Sequence, residues 1–182
     1  SAACPVLNGV PTCVYNGNPH EPSVRVTYND KILNGPDDSN PEYELTYSNN
    51  TNAGKATVEI AGVGSFAGTK TVDFTIQPKD ITGTDIDYRD KDGNEFQNDV
   101  SYDWTKATVH PEINIYDRTR NQSLIVGDNT TTTADYSIGY DDDNGDLNTQ
   151  TNAGLVTMTI TGQNNYTGTK EFVYYIGEDI SK

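Results

Sequence analysis

Residues 51–76, TNAGKATVEIAGVGSFAGTKTVDFTI, recur at 151–176 as TNAGLVTMTITGQNNYTGTKEFVYYI. The copies align without a gap at an offset of 100 and are identical at 11 of 26 positions. Unrelated segments share about one or two, so this is an internal repeat, and a repeat of this kind is one supersecondary unit built twice. The identities fall mainly on turn and polar frame positions, while the presumed inward positions are merely apolar in both copies. A chain of 182 residues then divides into two domains, expected at 1–78 and 79–182, each large enough for one modest core.

The local pattern is β throughout. Tyr43–Tyr47 and its counterpart Tyr136–Tyr140 alternate apolar and polar residues, as do Ala56–Ile60 and Val72–Ile76. Period-two alternation marks half-buried strands. Pro22–Tyr28 reads the same way and matches Pro111–Tyr116, with Val24 and Val26 on Ile113 and Ile115 and Tyr15 on Trp104. Asn52-Ala53-Gly54 is a turn in which Gly54 supplies a positive φ. Gln77-Pro78-Lys79-Asp80 is the boundary, because proline removes a ladder donor. Beyond it Ile81–Tyr88 is an expected edge strand, and Asp90–Asn94 a hairpin turn leading to Phe96. Six or seven short strands per repeat, with no helix-period stretch and no βαβ alternation, point to an antiparallel sandwich.

Charge and cysteine content narrow the partners. A net charge of −15 argues against nucleic acid, whose phosphates need clustered Lys and Arg. The acidic surface keeps an extracellular protein soluble, or else binds divalent cations. No stretch approaches the run of about 20 apolar residues that a membrane helix needs, so no membrane insertion is expected within these residues, and any anchor is expected outside them. The two cysteines, Cys4 and Cys13, flank a turn-prone segment containing Asn8, Gly9 and Pro11, and a local disulfide is expected. That suits an oxidising compartment. The competing reading is a nucleophilic Cys13 served by His20, for which no orienting third group is evident.

The motifs Tyr15-Asn16-Gly17, then Pro-x-Val-x-Val over 22–26, then Tyr43-x-Leu-x-Tyr-Ser-Asn-Asn-Thr-Asn-Ala-Gly-Lys-Ala-Thr-Val58, then Phe66-x-Gly-Thr-Lys-Thr-Val-x-Phe-x-Ile76 resemble the tandem immunoglobulin-like repeats of bacterial surface and secreted proteins, close to the MBG type. The match covers Tyr15–Gln77 well. It covers Trp104–Ile176 less well, since Asn16-Gly17 has no clean equivalent there and the loop after Tyr140 is longer. The resemblance implies two tandem immunoglobulin-like β-sandwiches, an extracellular location at the cell surface or in secreted form, and a non-enzymatic role as spacer, stalk or adhesion segment beside other modules of the same polypeptide. It names no ligand.

Three features are weighed for chemistry. The loop after Tyr140 is seven residues longer than its counterpart after Tyr47, and four of its ten residues are acidic: Asp141, Asp142, Asp143 and Asp146. Such oxygens in a Gly-turned loop suit Ca²⁺, although the spacing is not that of an EF-hand, and the alternative is a solvated loop. Trp104, Tyr102, Tyr116 and Tyr175 are candidates for stacking on a glycan or contacting a host protein; the alternative for each is packing within a sandwich. His20 and His110 each sit just upstream of the proline opening a matched strand, as strand-end residues or as metal ligands bridging the repeats. No hydrolase elbow, zinc motif or phosphate loop is present, and no enzyme activity is expected.

Overall fold

The computed structural model describes residues 4–7, 9–105, 107–127, 133–142 and 153–177. It is all-β, with no helix among the described residues, and divides into two compact units, Ser1–Pro78 and Lys79–Lys182.

In the first unit, β1 (Val6–Leu7), β2 (Val10–Val14), β5 (Tyr43–Ser48), β6 (Gly54–Gly62) and β7 (Thr69–Gln77) form one sheet in the order β1-β2-β7-β6-β5, while β3 (Thr27–Tyr28) and β4 (Lys31–Ile32) pair as a separate hairpin. The β-branched residues Thr, Val and Ile make up eight of the 18 residues of β6 and β7, residue types that fit a pleated, half-buried surface. Their register sets Ala56 opposite Phe74 and Gly54 opposite Ile76. Ala56, Val58, Phe74 and Ile76 are buried, and Tyr47 meets Phe74 edge-on at 6.2 Å. The β3–β4 turn has positive φ at both Asn29 and Asp30, the type I′ geometry that matches the twist of a two-residue hairpin.

The second unit comprises β8 (Lys79–Asp80), β9 (Ile86–Arg89), β10 (Val100–Asp103), β11 (Asn114–Asp117), β12 (Gln122–Ser123), β13 (Tyr136–Asp142), β14 (Gly154–Gly162), β15 (Tyr166–Thr167) and β16 (Thr169–Gly177). A four-stranded sheet, β10-β16-β14-β13, stands against a three-stranded one, β12-β11-β9. Tyr88 at 5.3 Å and Phe96 at 4.9 Å rest edge-on against Phe172, and Ile115, Val156, Met158 and Ile160 are buried. Two apolar sheet faces closing on one core are consistent with a β-sandwich.

The repeat is carried at the level of register. Gly154 faces Ile176 and Val156 faces Tyr174, as Gly54 faces Ile76 and Ala56 faces Phe74. Gly54 has φ 132° and Gly154 φ 150°, which explains the shared glycine, since this backbone region penalises a side chain. Gly62 and Gly162 are shared for a different reason. A Cβ there would lie 2.9 Å from the Ala67 nitrogen and 2.7 Å from the Thr167 nitrogen, respectively.

The structure corrects the sequence reading in several places. The sheets are not purely antiparallel: β2 with β7, β10 with β16, and β8 with β15 are parallel. Pro22–Val26 has the alternating burial of a strand but joins no ladder; only Thr27 and Tyr28 do. The expected edge strand at 81–88 is confined to β9, because residues 81–85 form turns. The hairpin turn at Asp90–Asn94 is present, with the Asp90 carboxylate accepting the N–H groups of Asp92 and Asn94 at 2.9 Å each.

Candidate functional site

The most elaborate polar site lies in the second unit, on residues that the sequence reading assigned to a boundary and a strand. Ile115 and Asp117 are in phase on β11, so the face that buries Ile115 also buries Asp117, which is 0% exposed. Lys79 opens β8, whose parallel pairing with β15 brings it beside Tyr166. Its Nζ lies 2.6 Å from Asp117 Oδ1 and 2.6 Å from Asp85 Oδ2. Asp117 Oδ1 also accepts the N–H groups of Thr119 at 2.9 Å and Arg120 at 3.2 Å, which caps the turn before β12. The Tyr166 hydroxyl donates to Asp117 Oδ2 at 2.7 Å and accepts from Arg120 at 2.9 Å.

One ammonium therefore faces two carboxylates, the Arg120 guanidinium reaches Asp117 only through the Tyr166 hydroxyl, and each oxygen of Asp117 has a donor. A buried charge is tolerable only when paired and hydrogen-bonded in this way. Burial raises the Asp85 carboxyl, but hydrogen bonds from Lys79 and Thr119 outweigh it and hold the group below the usual carboxylate range. Burial pushes the Tyr166 hydroxyl up, with Arg120 opposing and Asp117 reinforcing the rise. The ammonium is engaged by two carboxylates and the phenol stays protonated. The arrangement is thus an electrostatic clasp joining β8, β15 and the β11–β12 turn. It presents no free nucleophile. The clasp was legible in principle, because Asp117 falls in phase with Ile113 and Ile115, where an acid is out of place.

In the first unit Cys4 and Cys13 are joined in a disulfide across the β1–β2 hairpin, nine residues apart in sequence. His20 is 1% exposed, its backbone N–H donates to the Asn50 carbonyl at 2.7 Å, and its Nε2 has no hydrogen-bond partner. The sulfurs and the imidazole lie within 4.8 Å of one another. With both sulfurs in the disulfide, neither is a thiolate nucleophile or ligand, so Cys13 served by His20 is not a catalytic pair here. Burial lowers the His20 pKa. His110 is exposed and stacks on Tyr140 with ring centres 3.9 Å apart, the strand-end role.

The acidic loop begins later than expected. Asp141 and Asp142 are the last residues of β13, paired with Thr157 and Val156, so their backbones belong to the ladder. Asp143 and Asp146 lie outside the described residues.

The four candidate aromatics do not share one face. Tyr102 pairs with Ile176 on the inward face and packs edge-on against Tyr174 at 5.5 Å. Ser101 pairs with Tyr175, which therefore projects from the opposite face and is 44% exposed. Trp104 follows β10 with its backbone N–H bonded to the Gly177 carbonyl and is 38% exposed. Tyr116 belongs to the other sheet and bonds Asn121 through its hydroxyl. A cleft of about 600 Å³ runs beside β9, where Arg118 and Arg89 both pair with Asp87. Its charges are largely satisfied internally. No family model, curated protein or solved structure matches the chain.

Proposed function

We propose that the chain is a pair of tandem immunoglobulin-like sandwiches with no catalytic role, serving outside the cell as a spacer or adhesion segment of a larger bacterial surface or secreted protein. The observation that carries this reading is the repeated parallel pairing of an early strand with the last one, β2 with β7 and β10 with β16. When a chain is pulled from its two ends, β2 and β7 are loaded along their length in opposite directions, and in the second unit tension first meets β8, itself parallel to β15, and then β10 with β16. Their hydrogen bonds then resist together instead of opening one at a time. A module so built transmits tension, which is what a stalk requires. The disulfide supports an oxidising, extracellular setting, and the resemblance to bacterial surface repeats supports the rest. The partners on this reading are the neighbouring modules of the same polypeptide.

A second reading, a carbohydrate- or host-protein-binding module, is favoured by the exposure of Trp104 and Tyr175, with calcium at Asp141–Asp146 as its possible cofactor. A glycan-array screen of the chain, run with and without a calcium chelator, separates the two. The spacer reading expects no reproducible binding in either condition. Binding that is lost in Trp104→Ala would replace it with the glycan module, and chelator sensitivity would assign the acidic loop.

A further inference from the structure

Beside the β1–β2 hairpin lies a group of soft ligand atoms that the disulfide alone does not account for. Cys4 Sγ, Cys13 Sγ and His20 Nε2 lie within 4.8 Å of one another, with no carboxylate in the cluster. Cys13 and His20 are each 1% exposed, while Cys4 is half-buried. Among the described residues, His20 Nε2 is the one buried side-chain nitrogen or oxygen without a hydrogen-bond partner. Burying a polar nitrogen unpaired is costly. The atoms it faces are two sulfurs that, joined to each other, carry no proton to give it.

The chain holds two of these three ligands independently of the disulfide. Cys13 sits in β2, whose parallel ladder with β7 sets Cys13 opposite Ile76, and the Tyr15 N–H extends that ladder to the Gln77 carbonyl. After β2 the chain turns at Gly17, where φ is 80°, with the Asn18 N–H held by the Asn16 side chain at 2.9 Å. Asn50 then fixes His20 from both sides of its backbone. The His20 N–H donates to the Asn50 carbonyl at 2.7 Å, and the His20 carbonyl accepts from Asn50 Nδ2 at 3.1 Å. Cys4 is held more lightly. β1 pairs with β2 at two positions, beside one further bond from the Thr12 N–H to the Pro5 carbonyl. Reduction therefore leaves Cys13 and His20 in place and lets Cys4 turn about χ1 and shift with β1.

We propose that in the dithiol form Cys4, Cys13 and His20 make a site for a thiophilic divalent cation of the zinc type. Thiolate and imidazole ligands suit such an ion, whereas Ca²⁺ and Mg²⁺ require oxygen. Metal–sulfur bonds of about 2.3 Å and metal–nitrogen bonds of about 2.0 Å in tetrahedral geometry set ligand atoms about 3.5–3.8 Å apart. The cluster reaches those separations by small side-chain movements once the sulfurs part. Two thiolates and a neutral imidazole cancel a divalent charge, as a buried site needs, whereas a monovalent ion leaves a net negative charge there. Three protein ligands leave the fourth position to water, entering on the half-buried Cys4 side. A dithiol reductant splits the S–S bond, giving two thiols and its own cyclic disulfide. The cation then displaces the two thiol protons as two metal–sulfur bonds form, and it accepts the His20 Nε2 lone pair. Disulfide and cation exclude each other, so the cation occupies the chain before oxidation and leaves as the disulfide closes. The inference stands apart from the spacer reading and needs only the dithiol state, through which a cysteine pair passes before it is oxidised.

The full chain, reduced with a trialkylphosphine and desalted under argon, is titrated with Co²⁺, whose visible and near-ultraviolet absorption reports tetrahedral thiolate ligation, and then with Zn²⁺ to displace it. One equivalent is expected to saturate the reduced chain, and the disulfide form is expected to give none of these bands. Cys4→Ser and His20→Gln, each reduced in the same way, are expected to weaken Zn²⁺ binding at least about tenfold, since losing a ligand costs no less than losing an outer-shell partner. Bound Zn²⁺ is expected to slow closure of the disulfide by oxidised glutathione at least about tenfold, because metal-held sulfurs are withheld from exchange. A titration without thiolate charge-transfer bands would overturn the proposal. Binding indifferent to His20→Gln would also overturn it, leaving no more than a pair of thiols. Equal closure rates with and without Zn²⁺ in the parent chain would overturn it whether or not the variants fold.

Discussion

Replacing Lys79 with methionine takes an ammonium away from a carboxylate that has no contact with water. Asp117 is 0% exposed, and the Lys79 side chain that neutralises it is 10% exposed. Removing one partner of a buried pair costs about 3–5 kcal/mol, because the remaining charge is stranded. Asp117 keeps three donors, from Thr119, Arg120 and Tyr166, which places the loss near the lower bound. The contact of Lys79 with Asp85 adds little, since the Asp85 side chain is 38% exposed and water screens it. The expected loss is about 3 kcal/mol. With a urea m-value of about 2 kcal/mol/M for a domain of this size, the midpoint falls by about 1.5 M. The single tryptophan, Trp104, lies in the second unit, so its fluorescence follows that transition. The double variant Lys79→Met with Asp117→Leu removes both charges and is expected to recover most of the loss, since an apolar replacement of a buried pair is often neutral or stabilising. A shift below about 0.5 M in the single variant, or a double variant less stable than the single, would refute the reasoning.

Three further outcomes are expected. Converting Cys4 and Cys13 to serine releases a loop with a sequence separation of nine and lowers first-unit stability by about 2.5 kcal/mol on the chain-entropy relation, measured as faster amide exchange in β2 and β7. Gly62→Ala and Gly162→Ala each force a methyl against backbone and destabilise their units by about 1–3 kcal/mol in urea titrations, whereas Gly139→Ala, with open space around its Cβ, changes stability by under about 0.5 kcal/mol. His20 has a pKa lowered by burial, so the unfolded chain binds a proton near pH 6.5 that the folded chain refuses until lower pH. Its stabilising effect is complete above that value and declines as pH falls from about 6.5 toward the folded pKa; a urea midpoint that drops over this window in the parent chain and not in His20→Gln is the expected signature.

Much of the fold was legible because alternation identifies which residues share a sheet face. Tyr43–Tyr47, Ala56–Ile60, Val72–Ile76 and their copies supplied the faces of β5, β6 and β7 and of β13, β14 and β16. Alternation carries no information on strand direction, which is why the parallel pairing of β2 with β7 was missed. Pro22–Val26 shows the limit from the other side: it has a strand's periodicity, but a ladder needs a neighbour, and among the described residues these join none. Asp141 and Asp142 read as loop because aspartate is poor in strands, yet Thr157 and Val156 hold their backbones in register. Only Asp117, in phase with Ile113 and Ile115, marked the Lys79 clasp; its other members are far apart in sequence, from Lys79 to Tyr166, and each looks like an ordinary surface charge or hydroxyl alone.

The most direct test of the spacer account is to stretch single molecules of the chain from its two termini. The parallel pairing of β2 with β7 and of β10 with β16 predicts two discrete force peaks, each releasing about 3.5 Å of chain per unfolded residue. The peak from the first unit should lengthen on reduction, because the intact disulfide withholds the segment between Cys4 and Cys13. Extension without peaks would contradict the claim that these units are built to carry tension.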